Sequence, residues 1–277
     1  EISVNEAGEL EEVDKKNSAA VATALGYLVG FFIYFVLIFY GAMVMRSVME
    51  EKMSRIVEVI IISVKPFQLM LGKILGVSGV AFTQVLLWII LIPTLTAAVQ
   101  FFLGVDPAQA TAGMDAEQVA QSTSAVEDIL GTLQQQNWPL ILPLFIIYFL
   151  GGYFIYASLF AAVGAAVGDD LGESQSLTFP IMLPIILAFL FMTSVIDNPN
   201  SGLAFWTSMI PLFSPIIMPA RIPFGVPAWE IIVSVVLLIA TAIFFIWLSG
   251  RIYRVGIVLY DKKASLKELG KWLFYKE

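Results

Sequence analysis

The chain has 277 residues and a formal net charge of −7, and 59% of its residues are hydrophobic while only 13% are charged. Soluble domains carry about 25% charged residues, so this composition predicts an integral membrane protein. Cysteine and histidine are both absent. Their absence excludes disulfides, Cys/His metal sites and catalysis by a histidine or a cysteine, and we expect no metal site in this chain.

Five segments have the roughly 20 mostly apolar residues that a membrane-spanning helix requires. They contain no Asp, Glu, Lys or Arg, and their approximate bounds are 19–45, 74–103, 139–167, 177–196 and 231–250. The sequence therefore predicts an all-α membrane protein. Its transmembrane domain covers 19–250, between an external remnant at 1–18 and a tail at 251–277.

The basic residues predict how the chain is oriented in the membrane. Twelve of the fifteen Lys and Arg residues lie either between Arg46 and Lys73 or in the tail after residue 250, and the loop 104–138 has none. Basic loops stay in the cytoplasm, so we expect a multi-pass protein of the cell membrane with a cytoplasmic C-terminus. Five spans then place the N-terminus outside. This topology predicts a sixth span upstream and a chain that is a fragment.

The segment 46–66 predicts an amphipathic helix on the cytoplasmic side. Met49, Met53, Ile56 and Ile60 recur at helical spacing. The other side of this helix is charged and includes Glu50, Glu51, Lys52, Arg55 and Glu58. Glu51 and Arg55 are spaced to form an ion pair.

Pro66 ends this amphipathic helix and can open the next one, because the residue before a proline is displaced from the helical region. Two interpretations of the helix stay open. It either lies on the lipid surface or docks on a protein, and its mixed charge suits a protein better.

The segment 205–225 is too apolar for a solvated loop and too rich in proline for a span. Pro211, Pro215, Pro219 and Pro223 recur every four residues, which predicts short re-entrant helices buried in protein. Arg221 is the only base of the outer segment 197–230. Together with Pro215 and Pro219 it forms a candidate outer gate, or it extends to the membrane interface.

Polar residues inside the second and third spans are candidates for a translocation path. These residues are Ser78, Thr83, Gln84, Tyr148, Tyr153, Tyr156 and Ser158. The alternative role, which is more common for such residues, is hydrogen bonding between helices.

Three stretches carry a resemblance to a known family. The run EEKMSRIVEVIIISVKPFQLMLGKILG follows a span directly and resembles the coupling helix of ABC-2-type permeases, the membrane subunits of ATP-binding-cassette exporters. The stretches IPLFSPIIMPARIPFG and LSGRIYRVGIVLYDKKASLKELGKWL resemble the bacterial subgroup named sodium-export permeases. The resemblance covers about residues 20–273. Members of that subgroup have a further N-terminal span and a large external domain.

The resemblance implies a mechanism in which a separate ATPase subunit receives the coupling helix in a groove. The residues that would lie there are Glu50, Glu51, Lys52, Arg55, Glu58, Lys65, Pro66 and Phe67. A second permease copy or paralogue completes the expected assembly in the lipid bilayer, and nucleic acid is not an expected partner. ATP and Mg would bind to the ATPase, because this chain has no phosphate-binding G-x-x-x-x-G-K-[ST] motif. We therefore expect a transport subunit rather than an enzyme.

The cargo is not encoded in any motif, and sodium is suggested only by the subgroup. An ion-coupled secondary transporter or a channel remains the alternative. Such carriers usually keep ionisable residues inside the bundle, and the predicted spans contain none.

Overall fold

A computed structural model describes residues 3–54, 64–103, 136–167 and 171–257. These residues form seven α-helices and a short 3₁₀ helix, with no strand among them. The helices are α1 (Ser3–Met53), α2 (Pro66–Leu103), α3 (Trp138–Ala166), α4 (Leu171–Asp197), α5 (Gly202–Met209), α6 (Ser214–Arg221) and α7 (Ala228–Gly256); the 3₁₀ helix is Ile222–Phe224.

Five of the helices, α1, α2, α3, α4 and α7, are long and apolar enough to cross a membrane. This confirms the predicted all-α class and five candidate spans. The helices extend further than the apolar segments do, so Lys73 lies inside α2 and Glu230 in the first turn of α7.

The amphipathic segment 46–66 does not begin as a separate helix. Helix α1 continues through Arg46 to Met53 without a break, and a turn follows at Ser54. Residues 55–63 lie outside the described part of the chain, and α2 begins at Pro66. A helix does not have to end where hydropathy changes, because its backbone hydrogen bonds continue equally well through polar residues.

The chain divides into two compact units. The first comprises residues 1–24 and 80–137, and its described part consists of the beginning of α1 and the second half of α2. The second unit comprises residues 25–79 and 138–277. It contains the rest of α1 and α2 and all the later helices.

Helix α3 is the central element of the second unit. It packs along α7 and also contacts α4 and α6. All eight residues of α6 are buried, and Pro215 of α6 lies directly against Gly152 of α3. Of the short helices predicted in 205–225, α6 is therefore enclosed by protein, as irregular backbone at membrane depth requires, whereas α5 buries only four of its eight residues.

Helix α1 approaches α3 closely near its C-terminal end. A Cβ atom on Gly164 would lie 2.6 Å from the carbonyl oxygen of Met45 and 3.1 Å from Cβ of Val48. Just beyond this contact, Met49 packs with Val163 of α3 and Leu177 of α4 in a small apolar cluster. The end of α1 is thus held against two other helices.

This close approach predicts that Gly164→Ala destabilises the protein by about 1–3 kcal/mol, the usual cost of overpacking. Gly76→Ala is the matched control, because nothing lies within 4 Å of a Cβ atom at Gly76. The control should be neutral or slightly stabilising. Thermal unfolding of both variants in detergent measures the difference, and equal destabilisation would contradict the packing described.

Candidate functional site

Lys73 joins the first turns of α2 to the end of α1. Its Nζ atom donates to the carbonyl oxygen of Ser47 at 2.6 Å and to Ser47 Oγ at 3.3 Å. It also pairs with Glu51 Oε2 at 2.8 Å. The Lys73 side chain is largely buried, and a lysine taken out of water needs such partners.

Lys52 joins the same end of α1 to α3. Its Nζ donates to the carbonyl oxygen of Ala165 at 2.6 Å and lies 3.5 Å from that of Ala166, the last residue of α3. The residue is only 3% exposed. The final carbonyls of a helix lack intrahelical donors and carry a partial negative charge, so an ammonium group stabilises them. We name Ser47, Glu51, Lys52 and Lys73, with the carbonyl of Ala165, the junction cluster.

The elbow before α2 lies next in the chain. Lys65 is exposed, and its carbonyl oxygen accepts hydrogen bonds from the backbone of Gln68 and Leu69. Pro66 then opens α2 at a position where its missing N–H has no helical partner to lose. The ring of Phe67 contacts Gly250 of α7, where a Cβ atom would overlap it. The elbow therefore rests on α7.

The structure separates the predicted ATPase-coupling residues into three groups. Lys65 and Glu50 are exposed, whereas Lys52 is buried and Glu51 is paired with Lys73. Pro66 and Phe67 form the elbow. Arg55 and Glu58 lie outside the described residues, so the pair predicted between Glu51 and Arg55 lies outside them too. The partner that the structure gives Glu51 is 22 residues away in the sequence and was not predicted.

The three tyrosines of the candidate translocation path are buried in α3 and donate to backbone carbonyls of other segments. The acceptors are Ile74 for Tyr153 at 2.8 Å, Leu212 for Tyr156 at 2.6 Å and Ile231 for Tyr148 at 3.4 Å. This is hydrogen bonding between segments, the alternative role weighed from the sequence.

The two serines among the translocation-path candidates donate hydrogen bonds within their own helices. Ser158 Oγ donates to the carbonyl oxygen of Ile155 and Ser78 Oγ to that of Leu75, both at 2.8 Å. Thr83 and Gln84 belong to the first unit, whereas the other five residues belong to the second.

Arg221 is the centre of a buried polar cluster at the opposite end of the second unit. Its Nη1 atom pairs with Glu230 Oε2 at 2.9 Å and donates to Ser208 Oγ at 2.7 Å. Its Nε atom donates to the carbonyl oxygen of Pro199 at 2.7 Å. Arg221 is 2% exposed, so the interpretation that it extends to the membrane interface is wrong, because the buried carboxylate of Glu230 holds it inside.

Sequence reasoning missed Glu230, although a signal was available. Within residues 205–230 Arg221 is the only base and Glu230 the only acid. A solitary pair of opposite charges in an apolar segment is a strong candidate for an ion pair.

The two gate prolines, Pro215 and Pro219, are buried in α6, the helix that ends at Arg221.

A pocket of about 590 Å³ opens beside this cluster. Asp197, Asn198 and Asn200 line it together with Pro199, whose carbonyl oxygen accepts from Arg221. Within the described residues, no three acidic side chains lie close enough to hold a metal ion.

The buried pair predicts that Glu230→Gln destabilises the protein by about 3–5 kcal/mol, since it leaves the charge of Arg221 uncompensated. Replacing both residues by methionine should recover much of that loss. Thermal unfolding in detergent measures each variant. The control is Arg251→Gln, because the guanidinium of Arg251 is exposed and lies over the ring of Trp247. A Glu230→Gln protein as stable as this control would contradict the account.

Comparison with known proteins identifies the family of this chain. Residues 2–251 match the family model described as ABC-2 family transporter protein. The chain is 27% identical over 269 residues to the uncharacterized protein YhaP of Bacillus subtilis. The aligned region covers 97% of this chain and 59% of the relative. It is 25% identical over 252 residues to the uncharacterized protein MJ1024 of Methanocaldococcus jannaschii, covering 89% of this chain and 53% of the relative.

The chain thus spans between half and three-fifths of the length of these relatives. No solved structure matches it. The family model covers most of the chain, including all five candidate spans apart from the last turn of α7. The chain therefore belongs to the ABC-2 family of transporter membrane proteins.

Proposed function

We propose that this chain is the force-receiving part of an ABC-2 exporter permease, which couples ATP hydrolysis on a separate ATPase subunit to export. Proteins of this family are membrane transport subunits that normally work with an ABC ATPase. The observation that supports coupling at a particular place is the junction cluster. It joins the end of α1 to α2 and α3 beside an exposed elbow.

The ATPase would bind the segment between Ser54 and Pro66, which includes Arg55 and Glu58. Lys65 is exposed at the end of this segment and would contact the ATPase directly. Glu50 is also exposed, but it lines a pocket on α1 together with Arg46, and we assign it to that pocket. ATP-driven closure of two ATPase subunits would then displace the elbow.

The junction cluster would convert this displacement into movement of the spans. Lys52 binds the last carbonyls of α3, so the end of α1 cannot leave α3 without exposing a charged ammonium to an apolar interior. Lys73 likewise ties the start of α2 to α1, and Phe67 rests on α7. Four helices would therefore respond to one push.

The remaining parts of the proposal follow the family. A second permease copy or paralogue would complete the translocation path. ATP and Mg would bind to the ATPase, and the C-terminus would lie in the cytoplasm of a cell-membrane protein. Sodium is the first cargo to test, since the subgroup resemblance suggests it, and lipid-like compounds are the second.

An ion-coupled carrier is the competing function, and the buried charges argue against it. Among the residues that the structure describes, Lys52, Arg221 and Glu230 are buried, and the side chain of Lys73 is largely buried as well. Each is bound to a named partner at 2.9 Å or less. A coupling proton or cation needs an ionisable group that can change partners, and these four groups already have partners.

The docking proposal predicts that Lys65→Glu weakens co-purification of the ATPase with the full-length protein. Removal of one charge-assisted contact should lower the amount retained about tenfold. Arg251→Glu serves as the control, because its exposed side chain is engaged with Trp247. If Lys65→Glu retains the ATPase as well as the wild type does, the elbow is not the docking site.

The coupling proposal predicts that Glu51→Lys and Lys73→Glu each reduce ATP-dependent transport about tenfold. The double exchange should restore only part of it, because the ion pair reforms but the donation from residue 73 to the carbonyl of Ser47 is lost. Transport is measured in vesicles that contain the full-length protein and its ATPase, with sodium efflux and a lipid-like dye as separate assays.

A wild-type complex that moves neither compound in response to ATP would count against the exporter proposal. Transport driven by an ion gradient without ATP would favour the carrier instead. Single variants as active as the wild type would remove the role of the junction cluster but leave the exporter proposal intact.

A further inference from the structure

A second site lies on α1, next to the junction cluster, with which it shares only Ser47. A pocket of about 530 Å³ opens beside this helix, and the described residues that line it include Phe39, Met43, Arg46, Ser47 and Glu50. Apolar side chains occupy the part toward the middle of α1, and charged ones occupy the part toward its end. The pocket therefore has the amphipathic character of a lipid rather than that of a small ion.

An exposed apolar stripe leads from this pocket along α1. Its members recur every three or four residues and are each between 41% and 66% exposed; they are Leu28, Phe31, Phe35, Phe39 and Met43. The rings of Phe35 and Phe39 are stacked with centroids 5.9 Å apart. At 1.5 Å per residue the stripe is about 22 Å long. That exceeds half of a hydrocarbon core of about 30 Å, so one acyl chain fits along it.

The charged part of the pocket offers groups of both signs. Arg46 and Glu50 are exposed, and the structure records no salt bridge between either of them and another described side chain. A guanidinium group suits a phosphate because its planar donors match two phosphate oxygens. A carboxylate accepts hydrogen bonds from a primary ammonium group. Ser47 between them is fixed by its bonds from Lys73.

The order of these groups along α1 identifies the ligand class. Apolar side chains come first, then Arg46, then Glu50 about 6 Å further along the axis. A phospholipid with a primary amine presents its groups in the same order, from acyl chain to phosphate to ammonium. A purely anionic lipid would place its headgroup against the carboxylate of Glu50.

We propose that this pocket binds a phospholipid with a primary amine in its headgroup, such as phosphatidylethanolamine. Arg46 binds the phosphate, Glu50 binds the ammonium group, and an acyl chain lies along the stripe from Met43 to Leu28. The proposal does not depend on the ATPase, since the site lies on α1 and the elbow lies at the start of α2. It gives Glu50 a role in lipid recognition in place of the ATPase contact that the sequence suggests.

Native mass spectrometry of the purified protein tests this proposal, with equal amounts of phosphatidylethanolamine and phosphatidylglycerol of matched acyl chains. The wild type should retain the amine lipid about tenfold more than the glycerol lipid, as expected for one charge-assisted hydrogen bond. Glu50→Gln should abolish this preference. Arg46→Gln should lower retention of both lipids about tenfold, and Arg46→Lys should restore part of it.

Arg251→Gln is the matched control and should behave as the wild type does. Circular dichroism and thermal unfolding verify that each variant is folded. If Arg46→Gln does not fold, Arg46→Lys supplies a milder change at the same position. Equal retention of the two lipids by the wild type would overturn the proposal, and so would a preference that survives Glu50→Gln. A change of oligomeric state in Arg46→Gln without a change in lipid retention would assign the surface to a second copy and would overturn it as well.

Discussion

The buried ammonium group of Lys52 is the constraint on which the rest of the structure depends. A charged group inside an apolar unit must keep its hydrogen-bond partners, because an isolated charge there is very costly. The partners of Lys52 are the final carbonyls of α3, which themselves lack donors. One contact therefore satisfies both sides. It also fixes the end of α1 to the helix that packs along α7 and against α6.

The same rule operates at the other end of the second unit. Arg221 satisfies its buried guanidinium with a carboxylate, a hydroxyl and a carbonyl from three different segments. Between the two ends, the tyrosines of α3 donate to carbonyls outside their own helix. Buried polar side chains in this unit thus hold its helices and connecting segments together. We propose that a displacement at the junction cluster reaches Arg221 through α3, whose neighbours are α6 and α7.

The sequence predicted the spans well and the polar contacts poorly, for physical reasons. Span length and apolar composition are local properties, so five candidate spans could be read directly. The start of the amphipathic helix at Arg46 was not predicted correctly, because α1 continues to Met53. The partners of Glu51 and Lys52 lie 22 and 113 residues away, and only tertiary packing brings them together. The pair of Arg221 and Glu230, by contrast, was visible as two solitary charges nine residues apart.

Force applied at the junction cluster should therefore cross the second unit to the pocket beside Arg221. The most direct measurement uses Asn200→Cys, since Asn200 lines that pocket and residues 1–277 contain no other cysteine. The same complex without Asn200→Cys gives the background rate of labelling. The rate of its modification by a membrane-impermeant maleimide is compared with and without ATP, in vesicles that contain the full-length protein and its ATPase. The account predicts a rate that depends on ATP, and no such dependence in Lys52→Met with the ATPase still bound. A rate that ATP leaves unchanged in the intact complex, or an ATP response that survives Lys52→Met, would contradict it.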